Sequence, residues 1–539
     1  MPVKKPLGAC LISRETVEAD LGIVLAETWP ARYKFHKYWG RKPANVVSRY
    51  IEFFTDANAV VLDPFIGSGV TVIEAERLGR RSIGFDVNPV AARLTEAMLS
   101  PPDAEAFSFA AKEILRRAQA RGGELYVSLC DKCGGKATLR SAGYIGEEMV
   151  EVRYNCHSCG YSGARQPSSD DLSRLEIVPK EFDFPDADIV FGWEMQKLKR
   201  KGVKRWSELF TRRNLYAASC LRQEIMQIDD DRVKQWLLLT LTAALAQFTK
   251  MMADSSGAAG GPSWKINCYW LPKAWQELNP FRYFENRVSK SRAAVNDLLG
   301  FVPISPKGTV SFADSRRMAV ADEGVDYIFT DPPYGGEGIQ YGELSVLWCL
   351  WLGEQQHLQS EIAFNPYRKF NHAHYAKGLK DVFAECFRVL KVGKYMTVAF
   401  ANKDPDIWAA LMDACRRAGF ALVAVVPMKR SAPSLTETNM FSAPKADLLI
   451  TFQKPDASLQ ITQYREVEVS AYDLSGAVKK VFSLSSENAN ISVHEIFDRV
   501  TIDWLTWFYE GGEPRSSARP TLANVESELN LVVRSKVSL

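Results

Sequence analysis

The stretch from Ala59 to Asp86 limits the fold more than any other. Ala59-Val-Val-Leu-Asp63-Pro-Phe65-Ile-Gly67-Ser-Gly69 reads as a buried strand running into a glycine-rich turn. A helix over Val70–Leu78 follows, and a second strand, Arg81-Ser-Ile-Gly-Phe-Asp86, ends in an acid. Strand, helix and strand at this spacing form a βαβ unit, which commits the chain to parallel strands covered by helices. Its first turn lets a ligand approach the backbone at Gly67 and Gly69, and an acid ending the second strand is placed to hold a ribose diol. The spacing is not Gly-x-Gly-x-x-Gly, and no phosphate-binding lysine is present. A nucleoside without phosphates therefore fits better than a dinucleotide or a nucleoside triphosphate. The alternative is a glycine turn in an α/β domain that binds nothing.

A second strand-to-turn junction lies far downstream, in Val325-Asp-Tyr-Ile-Phe-Thr-Asp331-Pro332-Pro333-Tyr334-Gly-Gly. Val325, Tyr327, Ile328 and Phe329 suit a strand, and the two prolines cannot donate to a ladder, so the sheet ends there. The carboxyl edge of an open α/β sheet is where ligands bind. The chemistry suggested is recognition of a planar amine. The Asp331 carboxylate and the Pro332 carbonyl can both accept from one NH2 group, while Tyr334 stacks on the ring that carries it. A strand followed by an ordinary Pro-Pro turn is the competing reading of the tetrapeptide alone.

The whole chain is long enough for several domains: 539 residues, 46% hydrophobic and 24% charged, an ordinary globular composition. The formal net charge is only +3, so a nucleic-acid surface has to be a local patch. Met1-Pro-Val-Lys-Lys-Pro is followed by no apolar core, which reads as no signal peptide. The longest apolar run, Trp236 to Ala246, is too short to span a membrane and reads as a buried helix. Four of the ten cysteines fall in two Cys-x-x-Cys pairs, which suits a reducing compartment with a metal site better than a disulfide framework. A cytoplasmic location is expected.

Before the βαβ unit, His36-Lys-Tyr-Trp-Gly-Arg41-Lys42-Pro43 leads into a helix from about Ala44 to Phe54, with Val46, Val47, Tyr50, Ile51 and Phe54 on one face. Arg41 and Lys42 then lie near a helix start, where backbone N–H groups favour an anion such as a carboxylate. An exposed basic turn is the alternative.

Residues 99–305 interrupt the α/β alternation. Cys130-Asp-Lys-Cys133 and Cys156-His-Ser-Cys159 are each followed by a glycine, with strand-like sequence between them. This is a zinc-ribbon spacing: four thiolates from two turns can close a tetrahedral, structural site, with four unligated surface cysteines as the alternative, and His157 is read as exposed. From Lys197 to Arg213 the chain is basic, with Lys199, Arg200, Lys201, Lys204 and Arg205 prominent and Trp206 and Phe210 interleaved. That composition suits phosphate contacts, which position without reading sequence, or else a solvated helix face. Residues 214–250 look helical, and Ser255–Pro262 is a glycine-rich loop. Trp264, Tyr269, Trp270 and Trp275 either line a channel for an extruded base or form a satellite core.

After residue 306 the alternation resumes. Strands are expected at Val310–Asp314, at the Asp331 strand, and over Tyr395–Asn402, Phe420–Val426 and 446–453; helices are expected over Leu344–Leu352, Leu379–Leu390 and Trp408–Ala418. The loop Phe364–His374 is polar, aromatic and basic and is placed as a substrate-facing lid. Residues 456–539 carry no nameable motif; Trp504, Trp507, Phe508 and Tyr509 suggest a packed helical subdomain or a partner surface.

Three of these motifs together resemble one family. Leu62-Asp-Pro-Phe-Ile-Gly-Ser-Gly69 through Asn88-Pro89 looks like the S-adenosylmethionine-binding half of the amino-methyltransferases, and Thr330–Gly336 looks like their catalytic motif. Arg41-Lys-Pro-Ala-Asn through Phe54 resembles the segment such enzymes use to hold the methionine part of the cofactor. Gln340-Tyr-Gly-Glu-Leu-Ser345 resembles a stretch found in adenine-specific DNA methylases that contain a zinc ribbon. The resemblance implies a Rossmann-like α/β methyltransferase sheet with an inserted zinc ribbon and helical region. It divides the chain into a cofactor half at 1–98, linker and ribbon at 99–166, a partly basic helical insertion at 167–305, a catalytic half at 306–455 and a C-terminal subdomain at 456–539. It implies cofactor contacts from Lys42, Pro43, Asp63, Phe65, Gly67, Gly69, Asp86 and Asp314, the last against the adenine. Catalysis would rest on Asp331, Pro332, Pro333 and Tyr334, acting on an adenine flipped out of DNA. No Pro-Cys dipeptide occurs, which argues against carbon-5 cytosine chemistry. Asp rather than Ser at 331 leans toward N6-adenine over N4-cytosine. An RNA guanine-amino methyltransferase shares the Asp-Pro-Pro-Tyr pattern, and a non-catalytic nucleic-acid-binding subunit is the reading outside enzymes. No nuclease signature is visible, so a restriction or defence role would call on other subunits.

Overall fold

The computed structural model describes residues 14–21, 25–254, 264, 268–303, 306–335, 339–402, 404–428, 447–456, 472–485, 493–510 and 520–537. The expected loop at 255–262 lies outside them.

Strands β1 (Val60–Asp63) and β2 (Arg81–Asp86) pair in parallel around the helix Val70–Arg77, as the βαβ pattern requires. Between β2 and the next strand of this sheet lies the long insertion. It contributes β3 (Val127–Leu129), β4 (Lys136–Ile145), β5 (Glu148–Cys156), β6 (Ser162–Arg165) and β7 (Ala274–Leu278). The central sheet resumes with β8 (Thr309–Phe312), β9 (Val325–Thr330), β10 (Leu390–Phe400), β11 (Ala421–Met428) and β12 (Asp447–Gln453).

Among the described residues the central sheet has seven strands in the order β11-β12-β10-β9-β1-β2-β8. β8, β2, β1, β9 and β10 are mutually parallel, and β12 runs antiparallel to both its neighbours. β1 leads to β2 on one side and is flanked by β9 on the other, so the strand order reverses there. A crevice opens at the carboxyl ends of strands at such a switch point. Asp63 and Asp331 stand at that edge.

Alternation along β9 assigns the two faces. Tyr327 and Phe329 join one apolar cluster and Ile328 the other. The first face is covered by the helix Ala44–Phe54, where Phe54 stacks on Tyr327 at 5.0 Å and Tyr50 meets Phe329 edge-on at 5.9 Å. This packing is what brings the residues just before that helix to the end of β9. The second face is covered by the helices His372–Val389 and Pro405–Ala418, then by C-terminal helices Leu474–Ser485, Val493–Tyr509 and Leu522–Val537. Trp504 and Phe508 are buried there, and Tyr509 donates its hydroxyl to the Phe420 carbonyl at 2.6 Å.

β3 to β6 form an antiparallel sheet that carries the four paired cysteines. β7 joins this sheet by pairing with β4, Ser141 opposite Leu278. The sheet therefore draws on chain from both sides of residue 166. Arg213 and Glu277, each with a side chain 1% exposed, form an ion pair beneath it. Trp264, Tyr269 and Trp275 belong to the core. Trp264 stacks on Tyr269 at 5.4 Å and donates its indole N–H to the Leu344 carbonyl, and Trp275 stacks on Tyr144 at 4.2 Å. Trp270 stays 38% exposed.

Several element ends differ from expectation by a few residues, two of them for plain local reasons. β8 stops at Phe312 because the Asp314 carboxylate accepts from the Arg316 backbone N–H at 3.0 Å, which turns the chain. The helix before β10 starts at His372 because Asn371 caps it, accepting from the His374 N–H. Among the described residues no helix is long and apolar enough to cross a membrane.

Candidate active site

The cleft at the switch point is lined by residues from places far apart in the chain. They include Tyr38 to Lys42, Asp63 to Ser68, Asp86 to Asn88, Asp314 and Ser315, Asp331 with Pro333 and Tyr334, and Gln340, Tyr341 and Glu361 to Phe364.

On one side stands the glycine turn. Gly67 and Gly69 have φ of 49° and 79°, the left-handed region that favours glycine. A side chain at Gly69 would also lie 2.5 Å from the Thr95 hydroxyl. The turn is tied down by two acids. Asp86 accepts from Gly67 N–H at 2.9 Å and from Asn88 N–H at 2.8 Å. Asp63 accepts from Phe65 N–H at 3.0 Å. Burial pushes the Asp86 carboxyl up to about 7 and the Asp63 carboxyl up to about 6, against the opposing pull of these N–H groups. Phe65 lines the cleft. Asp314 also reaches it; burial is outweighed by the Arg316 guanidinium, 2.9 Å away, which holds that carboxyl below its ordinary range.

On the other side stands Asp331. Its Oδ2 pairs with Lys42 Nζ at 3.0 Å, whereas its Oδ1 is buried with no hydrogen-bond partner. Burial pushes its carboxyl up to about 7; Lys42 opposes this and Asp447 and Asp63 add to it. Pro332 is buried behind it, and the Pro333 carbonyl accepts from the Tyr375 hydroxyl at 2.8 Å. The Tyr334 ring meets Phe400 edge-on at 5.3 Å, with Lys42 Nζ 4.8 Å from the Tyr334 ring centre and bonded to its hydroxyl.

Lys42 and Pro43 thus do different things from each other. Pro43 precedes the helix Ala44–Phe54 and its carbonyl accepts the first helical N–H groups. Lys42 sits on Asp331, the acid that follows β9. The cation on the glycine turn is Arg41, whose Nε donates to Ser68 Oγ at 3.0 Å, and burial pushes its guanidinium down to about 10.

Asp447, the first residue of β12, was not singled out from sequence; it lies 3.3 Å from Lys42 Nζ with a side chain 3% exposed. Nothing local marks it, because its role depends on β12 lying two strands from β9. Tyr341, Glu361 and Phe364 are further cleft residues, and the first lies in the quoted Gln340–Ser345 stretch.

Away from the cleft, the sulfurs of Cys130, Cys133, Cys156 and Cys159 all lie within 4.8 Å of one another. The Cys133–Cys156 and Cys130–Cys159 separations are 3.5 and 3.8 Å. Sulfurs about 3.8 Å apart are what a tetrahedral zinc with bonds of about 2.3 Å requires. Gly134 and Gly160 take positive φ just after each pair, and His157 bonds Thr138 instead of joining the sulfurs. Lys199, Arg200, Lys201 and Lys204 are exposed on and after the short helix Gln196–Arg200. Arg205 is exposed as well but is paired with Asp186 at 2.7 Å and Asp188 at 2.6 Å. Trp206 and Phe210 are buried in the core.

Residues 18–97 and 325–498 match a family described as DNA methylase. The type II methyltransferase M2.LlaDCHI of Lactococcus lactis subsp. cremoris is 46% identical over 50 residues, 9% of this chain and 19% of the relative. M1.MboII of Moraxella bovis, also a type II methyltransferase, is 47% identical over 47 residues, covering 9% and 18%. M2.DpnII of Streptococcus pneumoniae, another, is 46% identical over 75 residues, covering 13% and 28%. The matched stretches thus span between 18% and 28% of these relatives. These stretches are similar to DNA methyltransferases, and the mixed, mostly parallel central sheet fits a methyltransferase fold.

Proposed function

We propose that this chain methylates the exocyclic N6 amino group of adenine in DNA, with S-adenosylmethionine as donor. The observation that carries the reading is Asp331 Oδ1, a buried acceptor with no partner, in the same cleft as the glycine turn. A buried acceptor left unmet costs about 1–3 kcal/mol, which an incoming N–H group would recover.

The residues present fit the cofactor. Asp86 retains lone pairs for a ribose diol, the backbone at Gly67 and Gly69 allows close approach, and Phe65 and Asp314 flank the cleft where an adenine would lie. Arg41 is the cation nearest the glycine turn. When bound, S-adenosylmethionine supplies an electrophilic sulfonium methyl. The chain's own residues do the rest. Asp331 Oδ1 and the Pro332 carbonyl accept the two amino hydrogens and turn the nitrogen lone pair out of the ring plane. Tyr334 stacks on the base. Positioning of this kind accounts for most of the rate gain expected. The base has to leave the duplex for its amino group to reach Asp331.

Asp rather than Ser at 331 favours adenine over N4 of cytosine. Four exposed cations, Lys199, Arg200, Lys201 and Lys204, would contact phosphates; Arg205, already paired, would contribute less. The four cysteines would hold one structural zinc ion.

The test is transfer of labelled methyl to unmethylated plasmid DNA and to total RNA, with Asp331→Ala as control and product nucleosides identified by mass spectrometry. N6-methyladenine in DNA, absent with the variant, is the expected result. Label only in RNA guanine, or cofactor binding without transfer, would overturn it.

A further inference from the structure

The segment Gly40-Arg41-Lys42-Pro43 brings two cations to the cleft, and they part company. Arg41 bonds Ser68 of the glycine turn at 3.0 Å. Lys42, whose side chain is 5% exposed, has its ammonium between two carboxylates from different strands: Asp331 at 3.0 Å and Asp447 at 3.3 Å. The Tyr334 hydroxyl is its third contact. We propose that Lys42 is a positioning residue for Asp331, held in place by Asp447, and does not bind the carboxylate of the cofactor. This rests on the methyltransferase reading above.

The geometry assigns Lys42 two tasks. It occupies Oδ2 of Asp331, which leaves Oδ1 as the acceptor for the amino group of the substrate. It also opposes protonation of Asp331, whose ionised form accepts at both oxygens. Burial favours the protonated acid, and Lys42 is the cation that opposes it. The other groups facing Asp331 do not supply that charge. Asp63 on β1 and Asp447 on β12 are acids, burial holds the Tyr341 and Tyr375 hydroxyls protonated, and the Tyr334 hydroxyl bonds Lys42. Moving Lys42 onto a ligand carboxylate would leave two acids near each other with no cation between them, an arrangement that disfavours the ionised pair.

The test compares Lys42→Met, Lys42→Arg and Asp447→Asn in the full chain. Binding of S-adenosylhomocysteine is measured by calorimetry, and single-turnover methyl transfer to DNA is followed from pH 5.5 to 9. Lys42→Met is expected to bind S-adenosylhomocysteine within about threefold of wild type while transferring methyl roughly 100-fold more slowly. The acid limb of its pH profile should move up by about one to three units, because the cation that lowers the Asp331 carboxyl is gone. Asp447→Asn should move the limb the other way, since it removes a negative neighbour. Lys42→Arg should restore the wild-type limb, and with Asp447→Asn it carries the test if Lys42→Met does not fold. A tenfold or greater loss of S-adenosylhomocysteine affinity in Lys42→Met, with an unmoved acid limb, overturns the proposal while leaving the methyltransferase reading intact. Wild-type protein that transfers no methyl to DNA overturns the underlying reading, and this inference with it.

Discussion

The Thr330 hydroxyl donates to Asp63 Oδ1 at 2.8 Å, joining the last residue of β9 to the last residue of β1. The bond closes the switch point from below. It couples the strand that presents Asp331 to the turn that presents Gly67 and Gly69, so the two halves of the cleft share one foundation. Thr330→Val keeps the shape and removes the donor, leaving Asp63 short of one partner. A loss of about 1–3 kcal/mol in urea unfolding is expected, together with slower methyl transfer.

The three acids of the cleft make stability depend on pH in an uncommon direction. Asp63, Asp86 and Asp331 are pushed up to about 6, 7 and 7 in the folded protein. The folded state therefore holds protons that the unfolded chain releases near pH 4. The stability they contribute is complete below about pH 4 and is lost as pH rises through about 6 to 7. Urea melts of the ligand-free protein at pH 4.5 and 7.5 should show this fall, and Asp86→Asn should make the slope shallower. An equal slope in the variant would contradict the assignment.

Zinc content is the most direct check on the four-cysteine cluster. One zinc ion per chain is expected by metal analysis, and none in Cys133→Ser. Loss of the metal should lower the melting temperature while leaving S-adenosylhomocysteine affinity unchanged, because the four sulfurs lie outside the cleft.

Arg213 and Glu277 pair where both are almost fully buried, and Arg213 also donates to the Leu125 carbonyl at 3.1 Å. Removing one partner strands the other charge. Arg213→Met is expected to cost about 3–5 kcal/mol, read by urea unfolding. A change below about 1 kcal/mol would mean that the site admits water.

The combined substitution Lys199→Ala, Arg200→Ala and Lys201→Ala tests the basic segment. If these residues neutralise phosphates, the slope of log affinity against log salt for duplex DNA should fall by about 0.9 for each phosphate that no longer meets a cation. An unchanged slope would place the DNA surface elsewhere.

Much of this was legible in the residues themselves. The β1–turn–helix–β2 unit, the strand ending at Thr330 and the helix Ala44–Phe54 follow from apolar periodicity and from where glycine and proline fall, which are local properties of the backbone. The paired cysteines were equally plain, because their spacing within each turn is set by the chain. Tertiary structure alone decided which distant groups meet. Lys42 reads as a basic residue at a helix start, and only the packing of Tyr50 and Phe54 on β9 carries it to Asp331. Asp447 gains its place from β12 pairing antiparallel with β10. β7 completes a sheet whose other strands end more than a hundred residues earlier. Trp264, Tyr269 and Trp275 suit a channel lining as well as a core, and it is the helix 341–352 and Tyr144 packed against them that make them core. Periodicity marks which face of an element is buried, but the partner it is buried against depends on the meeting of segments far apart in the chain, and no local pattern encodes that.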